Sequence, residues 1–221
     1  MDWQSLRLSL WLAVATGVVL LPSGVLAGRW LARSSHPLKP IVEATLALPL
    51  ILPPTVLGYY LLVAMGGQSP VGALYAQLVG HPLAFSFAGL LVASLIFNIP
   101  FAWIPTQRAF ESIPADLYDA ARSCGLSRWR TLWRIELPLA WRGILSGLIM
   151  TIAHTLGEFG VVLMVGGSIP GETKTIAISI YDRVQAFDLR AAGSMSAILL
   201  VASLATLLAT VWLTRPVAAR P

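Results

Sequence analysis

Residues 111–142 read ESIPADLYDAARSCGLSRWRTLWRIELPLAWR, a charged stretch between two long apolar ones. Its local signals predict a short helix, a stop and a second helix. Pro114 suits a first helical turn, where no backbone N–H is needed, and Asp116 complements the positive helix end. Gly125 tolerates the left-handed conformation that ends many helices, and Ser127 is a good cap for the next helix. The stretch therefore predicts short helices in a loop outside the apolar segments.

The first predicted loop helix carries small and medium apolar residues at positions i, i+3, i+4 and i+7. These residues are Leu117, Ala120, Ala121 and Cys124. A short exposed helix with such a face needs a partner surface. Periodicity leaves two partners open. One is another protein, and the other is the lipid interface, which would suit Trp129 and Trp133 beside their neighbouring arginines.

Outward from this loop, the chain has the composition of a membrane protein. Of its 221 residues 57% are hydrophobic and 11% are charged, against roughly 25% charged in a soluble domain. A crossing helix needs about 20 apolar residues. Five stretches qualify, and we expect one all-α membrane domain over residues 1–221, with the first stretch retained and not a cleaved signal. The stretches are 8–28, 41–65, 83–106, 144–165 and 191–213.

The basic residues fall between these stretches and predict an orientation. The formal charge is +5, but no basic stripe suggests nucleic-acid binding. One face holds Arg29, Arg33, Lys39, Arg108, Arg122, Arg128, Arg130, Arg134, Arg142, Arg215 and Arg220. The other face holds Arg7, Lys174, Arg183 and Arg190. Because cytoplasmic loops carry the excess of Lys and Arg, we expect the amino terminus outside and the carboxyl terminus, with the loop of residues 107–142, in the cytoplasm.

Prolines and glycines interrupt two of the stretches. The second contains Pro49, Pro53, Pro54 and Gly58, and the fourth contains Gly157 and Gly160. Such breaks free backbone groups, which in lipid must be satisfied by other helices or by a water-lined cavity. The second and fourth stretches are therefore the candidate helices of a transport pathway. Hydroxyls suited to line it are those of Thr55, Thr151 and Thr155.

The fourth stretch also contains HTLGEFG, which places His154 and Glu158 one helical turn apart. A metal site, a substrate ligand and a self-neutralising structural pair that holds a bend all fit this spacing. No HExxH motif accompanies it, and His36 and His81 lie in loops on opposite faces, so we predict no metal site. An ionised Glu158 would repel an anion. We therefore favour the structural pair, acting as a gate or a scaffold.

The charged loop resembles the EAA loop of ABC importer permeases, because DAARSCG is followed nine residues later by IELP. The resemblance implies a type I permease fold whose loop forms a coupling helix, docked on a separate ATPase. The residues implied at that contact are Leu117, Asp119, Ala120, Ala121, Gly125 and Leu126, and the loop motif adds Ile135, Leu137 and Pro138. Asp119 stands where the family usually has glutamate.

Two further stretches resemble the molybdate permeases of this family. They are LPLILPPTVLGYYLL at residues 48–62 and LGEFG with IPGETKT within residues 156–175. The resemblance implies an importer of molybdate or tungstate in a bacterial cytoplasmic membrane. It also implies a homodimer of this chain, ABC ATPase subunits and an extracytoplasmic molybdate-binding protein. The LGEFG portion is similar to sulfate permeases as well, so sulfate and thiosulfate remain alternatives. The glycines and proline within residues 166–175 predict a turn-forming loop. The following residues, 176–187, predict a short helix.

The chain contains no GxxxxGK[ST] loop, and we expect it neither to bind ATP nor to act as an enzyme. The ATP and magnesium would be used by the ATPase, with no cofactor held by this chain. A proton-coupled secondary carrier, with Glu158 and His154 as relay, is the competing class. Such a carrier would need no docking helix. A non-transporting anchor would need neither the prolines of the second stretch nor the polar residues of the fourth.

Overall fold

The computed structural model describes residues 2–214, which are helical throughout, with no strand among them. A single π-helical turn, Leu132–Glu136, joins α7 to α8. The helices are α1 Trp3–Arg33, α2 Lys39–Ile51, α3 Pro54–Met65, α4 Pro70–Val79, α5 Phe87–Glu111, α6 Ala115–Ser123, α7 Arg128–Thr131, α8 Leu137–Gly157, α9 Gly160–Gly166, α10 Ile176–Gln185 and α11 Leu189–Thr214.

Four continuous helical segments within residues 2–214 are long and apolar enough to cross a membrane. They are Trp3–Arg33, Phe87–Glu111, Arg128–Gly157 and Leu189–Trp212. The second predicted stretch passes the same test only as the pair α2 and α3, which bends by 108°. The structure therefore has four such helices, or five spans if the bent pair counts as one, against the predicted five. Pro53 and Pro54 cause the bend, because neither can donate a helical hydrogen bond.

The fourth predicted stretch, residues 144–165, is likewise not one continuous helix but is divided between two. α8 begins at Leu137, ends at Gly157 and is followed by the separate short helix α9. Residue 158 has extended backbone, with ψ of 126°, which breaks the helix between the two. The helix α4 in the predicted loop after the second stretch was not expected, whereas α10 confirms the predicted short helix.

The centre of the fold is formed by α1, α5 and α8, which pack on one another along their lengths. Small residues let them approach closely, as is usual between helices in membranes. A Cβ atom on Gly147 of α8 would lie 2.9 Å from the carbonyl oxygen of Ala102 in α5, and one on Gly28 of α1 would lie 3.0 Å from the amide nitrogen of Gln107. Substitution at either glycine would force these helices apart.

The bundle has two ends, and we call the one that carries residues 112–136 the loop end. At the opposite end, Asp2 caps α1 by accepting hydrogen bonds from the Ser5 amide at 3.0 Å and from the Ser179 hydroxyl of α10 at 2.8 Å. Partial burial opposes ionisation of Asp2, but these hydrogen bonds outweigh it and hold the pKa of the carboxyl below its usual range. The cap thereby ties α10 to α1.

The helices α2, α3, α4 and α11 lie at the periphery of the fold. α2 has no buried residue, and large side chains such as Ile51 and Leu78 are 80% and 77% exposed. At the loop end α2 is held to α5, where the Gln107 amide donates to Glu43 at 2.6 Å. These apolar surfaces require lipid or another protein. The predicted charges Arg215 and Arg220 lie outside the described residues.

Candidate functional site

The loop between α5 and α8 folds as its sequence predicts. Pro114 stands at the N-cap of α6, one residue before the first turn, and α6 ends where Gly125 takes a left-handed conformation with φ of +70°. The Leu126 amide then folds back to donate to the Ala121 carbonyl at 3.0 Å. Ser127 caps α7 by accepting from the Arg130 amide at 3.4 Å. The predicted helix, stop and second helix are confirmed.

The predicted contact residues of the loop are mostly exposed. Leu117, Asp119, Ala120 and Gly125 have exposed side chains or backbone, and Leu126 is half-buried. Ala121 differs, because it is 4% exposed and packs within its own chain. The predicted four-residue apolar face is therefore split, with Ala121 turned toward the spans and the other three members toward solvent. Of the loop motif, Ile135 and Leu137 are half-buried and Pro138 is exposed at the start of α8.

The loop is fastened to α1 by a buried carboxylate. Glu136, in the π-helical turn, is fully buried, and its Oε2 lies 2.5 Å from Arg29 Nε. Its Oε1 accepts from Arg29 Nη2 at 3.1 Å and from the Arg33 guanidinium. A carboxylate without partners would be strongly destabilising at this depth, so both arginines are needed there.

The same two arginines reach the loop helices. The Arg33 guanidinium lies over the Tyr118 ring of α6, 4.0 Å from its centroid, and Arg29 Nη2 donates to the Arg128 carbonyl of α7 at 3.3 Å. One end of α1 therefore holds α6, α7 and the π-helical turn together. Sequence reasoning missed this arrangement, since it counted Arg29 and Arg33 only for orientation. The available signal was a lone acid within the otherwise apolar IELP motif.

Besides the cluster around Glu136, a second group of buried polar side chains lies at the break between α8 and α9. The Glu158 side chain is 4% exposed, and its Oε2 accepts from the Ser94 hydroxyl at 3.0 Å and from the Asn98 amide at 3.2 Å. Its Oε1 is buried without a hydrogen-bond partner among the described residues. Ser94 and Asn98 belong to α5 and were missed, although their spacing of one helical turn in an apolar stretch was an available signal.

His154 does not form the predicted ion pair with Glu158. Its Nδ1 lies 3.0 Å from Asn98 Oδ1, and its ring stacks on Phe101 with centroids 3.9 Å apart. Asn98 therefore stands between the two ionisable groups and is bonded to both. The prediction of a self-neutralising pair is wrong, because the break at residue 158 turns the carboxylate toward α5 and away from its own helix. No group of metal-ligating side chains occurs within the part of the chain that the structure describes.

The predicted pathway residues are only partly brought together. Thr151 and Thr155 are buried, and each hydroxyl donates to a carbonyl of its own helix at 2.8 Å, so neither lines an open passage in this conformation. Thr55 is exposed near the start of α3. Gly157 is exposed at the end of α8. Gly160 serves close packing, because a Cβ atom there would lie 2.8 Å from the Pro54 side chain.

The crossing helices, the bent helix pair and the loop helix held at one end together form the fold of type I ABC importer permeases. A solved chain of a bacterial ABC transporter that imports the acidic polysaccharide alginate has this fold. Its TM-score is 0.73 at 19% identity, over 96% of this chain and 79% of that chain. Residues 21–219 match the family model described as the binding-protein-dependent transport system inner membrane component. The chain belongs to this family.

Relatives agree with this assignment over most of the chain. The molybdenum transport system permease protein of Azotobacter vinelandii is 46% identical over 85% of this chain and 83% of its own length. That of Escherichia coli K12 is 34% identical over 97% of this chain and 94% of its own length. The resemblance carried by the loop motif is thus confirmed, and the chain is a multi-pass inner-membrane protein.

Proposed function

We propose that the chain is the membrane subunit of an ATP-driven importer of molybdate, with tungstate as a second substrate. The observation that carries this proposal is the exposed helix α6, which presents Leu117, Asp119 and Ala120 to solvent while Glu136 and its arginines hold the loop to α1. A secondary carrier has no use for such a docking element. The substrate follows from the 46% identity to a molybdenum permease, which spans most of both chains.

The working assembly contains two copies of this chain, two ATPase subunits and an extracytoplasmic binding protein. The exposed apolar surfaces of α2 to α4 leave room for a second copy beside the lipid. The excess of basic residues at the loop end supports a cytoplasmic position for that end, where α6 would meet the ATPase. The chain is no enzyme, and ATP with Mg²⁺ is bound and hydrolysed by the ATPase.

ATP acts by shifting the population between two packings of the spans. The ATPase can drive this shift only because it grips α6 differently in the two states. Motion of α6 reaches α1 through the Arg33 contact with Tyr118, and it reaches α8 through Glu136 in the π-helical turn that continues into that helix. The break at Glu158 lies at the far end of α8, beside α3, so the same rigid helix connects the loop to the candidate gate.

A tetrahedral dianion can cross such a protein without a full counter-charge. Backbone N–H groups, helix amino ends and hydroxyls can each take part of its charge. An ionised Glu158 would repel the anion. Its role is therefore to hold the break between α8 and α9 through Ser94 and Asn98, not to bind substrate.

The proposal is tested by uptake of labelled molybdate into membrane vesicles that contain the chain, its ATPase and its binding protein. We expect uptake that requires ATP, resists excess sulfate and is blocked by tungstate. Equal competition by sulfate would instead identify a sulfate or thiosulfate permease. Uptake driven by a proton gradient without ATP would identify a secondary carrier and overturn the proposal.

A further inference from the structure

Two adjoining cavities open at the loop end, between the end of α1 and the helices α6 and α7. Their volumes are about 300 Å³ and about 700 Å³, and Arg33, Arg122 and Arg128 line both of them. The larger cavity also meets Arg29. We call this combined space the arginine cavity. It adjoins the predicted ATPase contact at Leu126, which lines the smaller cavity, whereas Leu117, Asp119 and Ala120 lie outside it.

The arginine cavity carries uncompensated positive charge. Glu136 is the carboxylate paired with Arg29 and Arg33, and it is fully buried behind them. Within residues 2–214, no carboxylate lies within ion-pair distance of Arg122 or Arg128. Four guanidinium groups thus face one carboxylate. A planar guanidinium group can donate two parallel hydrogen bonds to two oxygens of one phosphate group.

One wall of the larger cavity is apolar and continues onto the exposed apolar surface of α1. Leu26 and Trp30 line it and are 56% and 54% exposed. Ser34 and Ser35 supply hydroxyls on the same side as the arginines. A soluble anion has no use for the apolar wall, whereas a lipid places its phosphate among cations and its glycerol and acyl chains against apolar side chains.

We propose that the arginine cavity binds the phosphate group of an anionic phospholipid, as basic pockets on the cytoplasmic side of membrane proteins do. The inference rests on the proposed orientation, in which the loop end faces the cytoplasm. A bound headgroup bridges Arg122 of α6 and Arg128 of α7 to α1. It therefore stabilises the loop in the position seen here and makes coupling to the ATPase dependent on the lipid. A free phosphate-type oxyanion shares the headgroup's chemistry and is separated from it by the test.

The test titrates phosphatidylglycerol into the purified, delipidated permease–ATPase complex in neutral detergent and counts bound lipid by native mass spectrometry. Phosphatidylcholine is the neutral reference. The variant R122Q/R128Q removes two cavity charges and is expected to bind phosphatidylglycerol about thirtyfold more weakly. The matched control R130Q/R134Q removes two exposed charges of the same loop outside the cavity and is expected to bind as the natural chain does. R122Q alone, on an exposed position of α6, serves if the double variant does not accumulate.

Equal binding of phosphatidylglycerol by R122Q/R128Q and the natural chain would overturn the proposal. So would a site that takes inorganic phosphate or molybdate with the same arginine dependence but shows no preference for phosphatidylglycerol over phosphatidylcholine. The readout is lipid binding and not transport. A complex that imports another anion would therefore fail the proposed substrate test while leaving this result interpretable.

Discussion

At the scale of single residues, Glu136 is the side chain on which the loop depends most. It is fully buried between Arg29 and Arg33, so Glu136→Gln removes the charge that both guanidinium groups require. We expect a loss of about 1.5–3 kcal/mol in stability, the usual worth of hydrogen bonds to a charged group, because the two arginines left behind are partly exposed. The melting temperature of the purified complex measures it. The control Glu111→Gln alters a carboxylate that is paired but partly exposed, and it should cost about 1 kcal/mol or less. An equal loss in both variants would contradict the assignment.

Substitutions at Asn98 and at Glu158 are expected to differ in their effects, since the first removes hydrogen bonds and the second keeps them. Asn98→Ala removes the amide that bonds both His154 and Glu158, leaving two buried groups short of a partner at about 1–3 kcal/mol each. Glu158→Gln keeps an oxygen that can accept from Ser94 and Asn98, so molybdate uptake should retain half or more of its rate. The melting temperature measures the loss in Asn98→Ala, and uptake normalised to the amount of folded protein measures the rate that Glu158→Gln retains. Complete loss of uptake in Glu158→Gln with normal folding would instead identify Glu158 as a gate or a proton relay.

At the scale of an element, the end of α6 depends on a left-handed residue. Gly125 has φ of +70°, which costs a side-chain-bearing residue about 1–2 kcal/mol and a β-branched one more. Gly125→Val should therefore displace α6 and lower molybdate uptake while ATP hydrolysis continues. Gly125→Asn is the matched variant, since asparagine tolerates this conformation, and it should keep most of the uptake. The ratio of uptake to hydrolysis checks both, and unchanged uptake in Gly125→Val would count against a coupling role.

The cap of α1 gives a prediction about pH. The pKa of Asp2 is lowered in the folded chain, so its stabilising contribution is present above the unfolded pKa of about 3.8 and disappears as pH falls through the folded value. Asp2→Ala should cost about 1 kcal/mol at pH 7 and progressively less below about pH 4. Melting temperatures of the two chains, compared from pH 7 to pH 3, measure this convergence. A constant difference across that range would show that Asp2 acts by packing alone.

At the scale of the whole molecule, the sequence specifies more of the fold than of the sites. Apolar length and turn chemistry are local properties, so the spans, the stop at Gly125 and the cap at Ser127 could be predicted. The 108° bend at Pro53 was visible only as an interruption, because its angle depends on what α2 and α3 pack against. The contacts of Glu136 with α1 and of Glu158 with α5 join residues far apart in sequence, and no local pattern reports such a meeting.

The orientation of the whole molecule can be tested with its single cysteine. Cys124 is exposed at the end of α6, on the face proposed to meet the ATPase. A membrane-impermeant maleimide should therefore label it in inside-out vesicles stripped of ATPase and leave it unlabelled in intact spheroplasts. Adding the ATPase back should slow the labelling, because a docked surface excludes the reagent. In a Cys124→Ala background, Glu172→Cys at the opposite end should show the reverse sidedness. Labelling of Cys124 from outside the cell would overturn the orientation, and labelling unaffected by the ATPase would place the docking surface elsewhere on the loop.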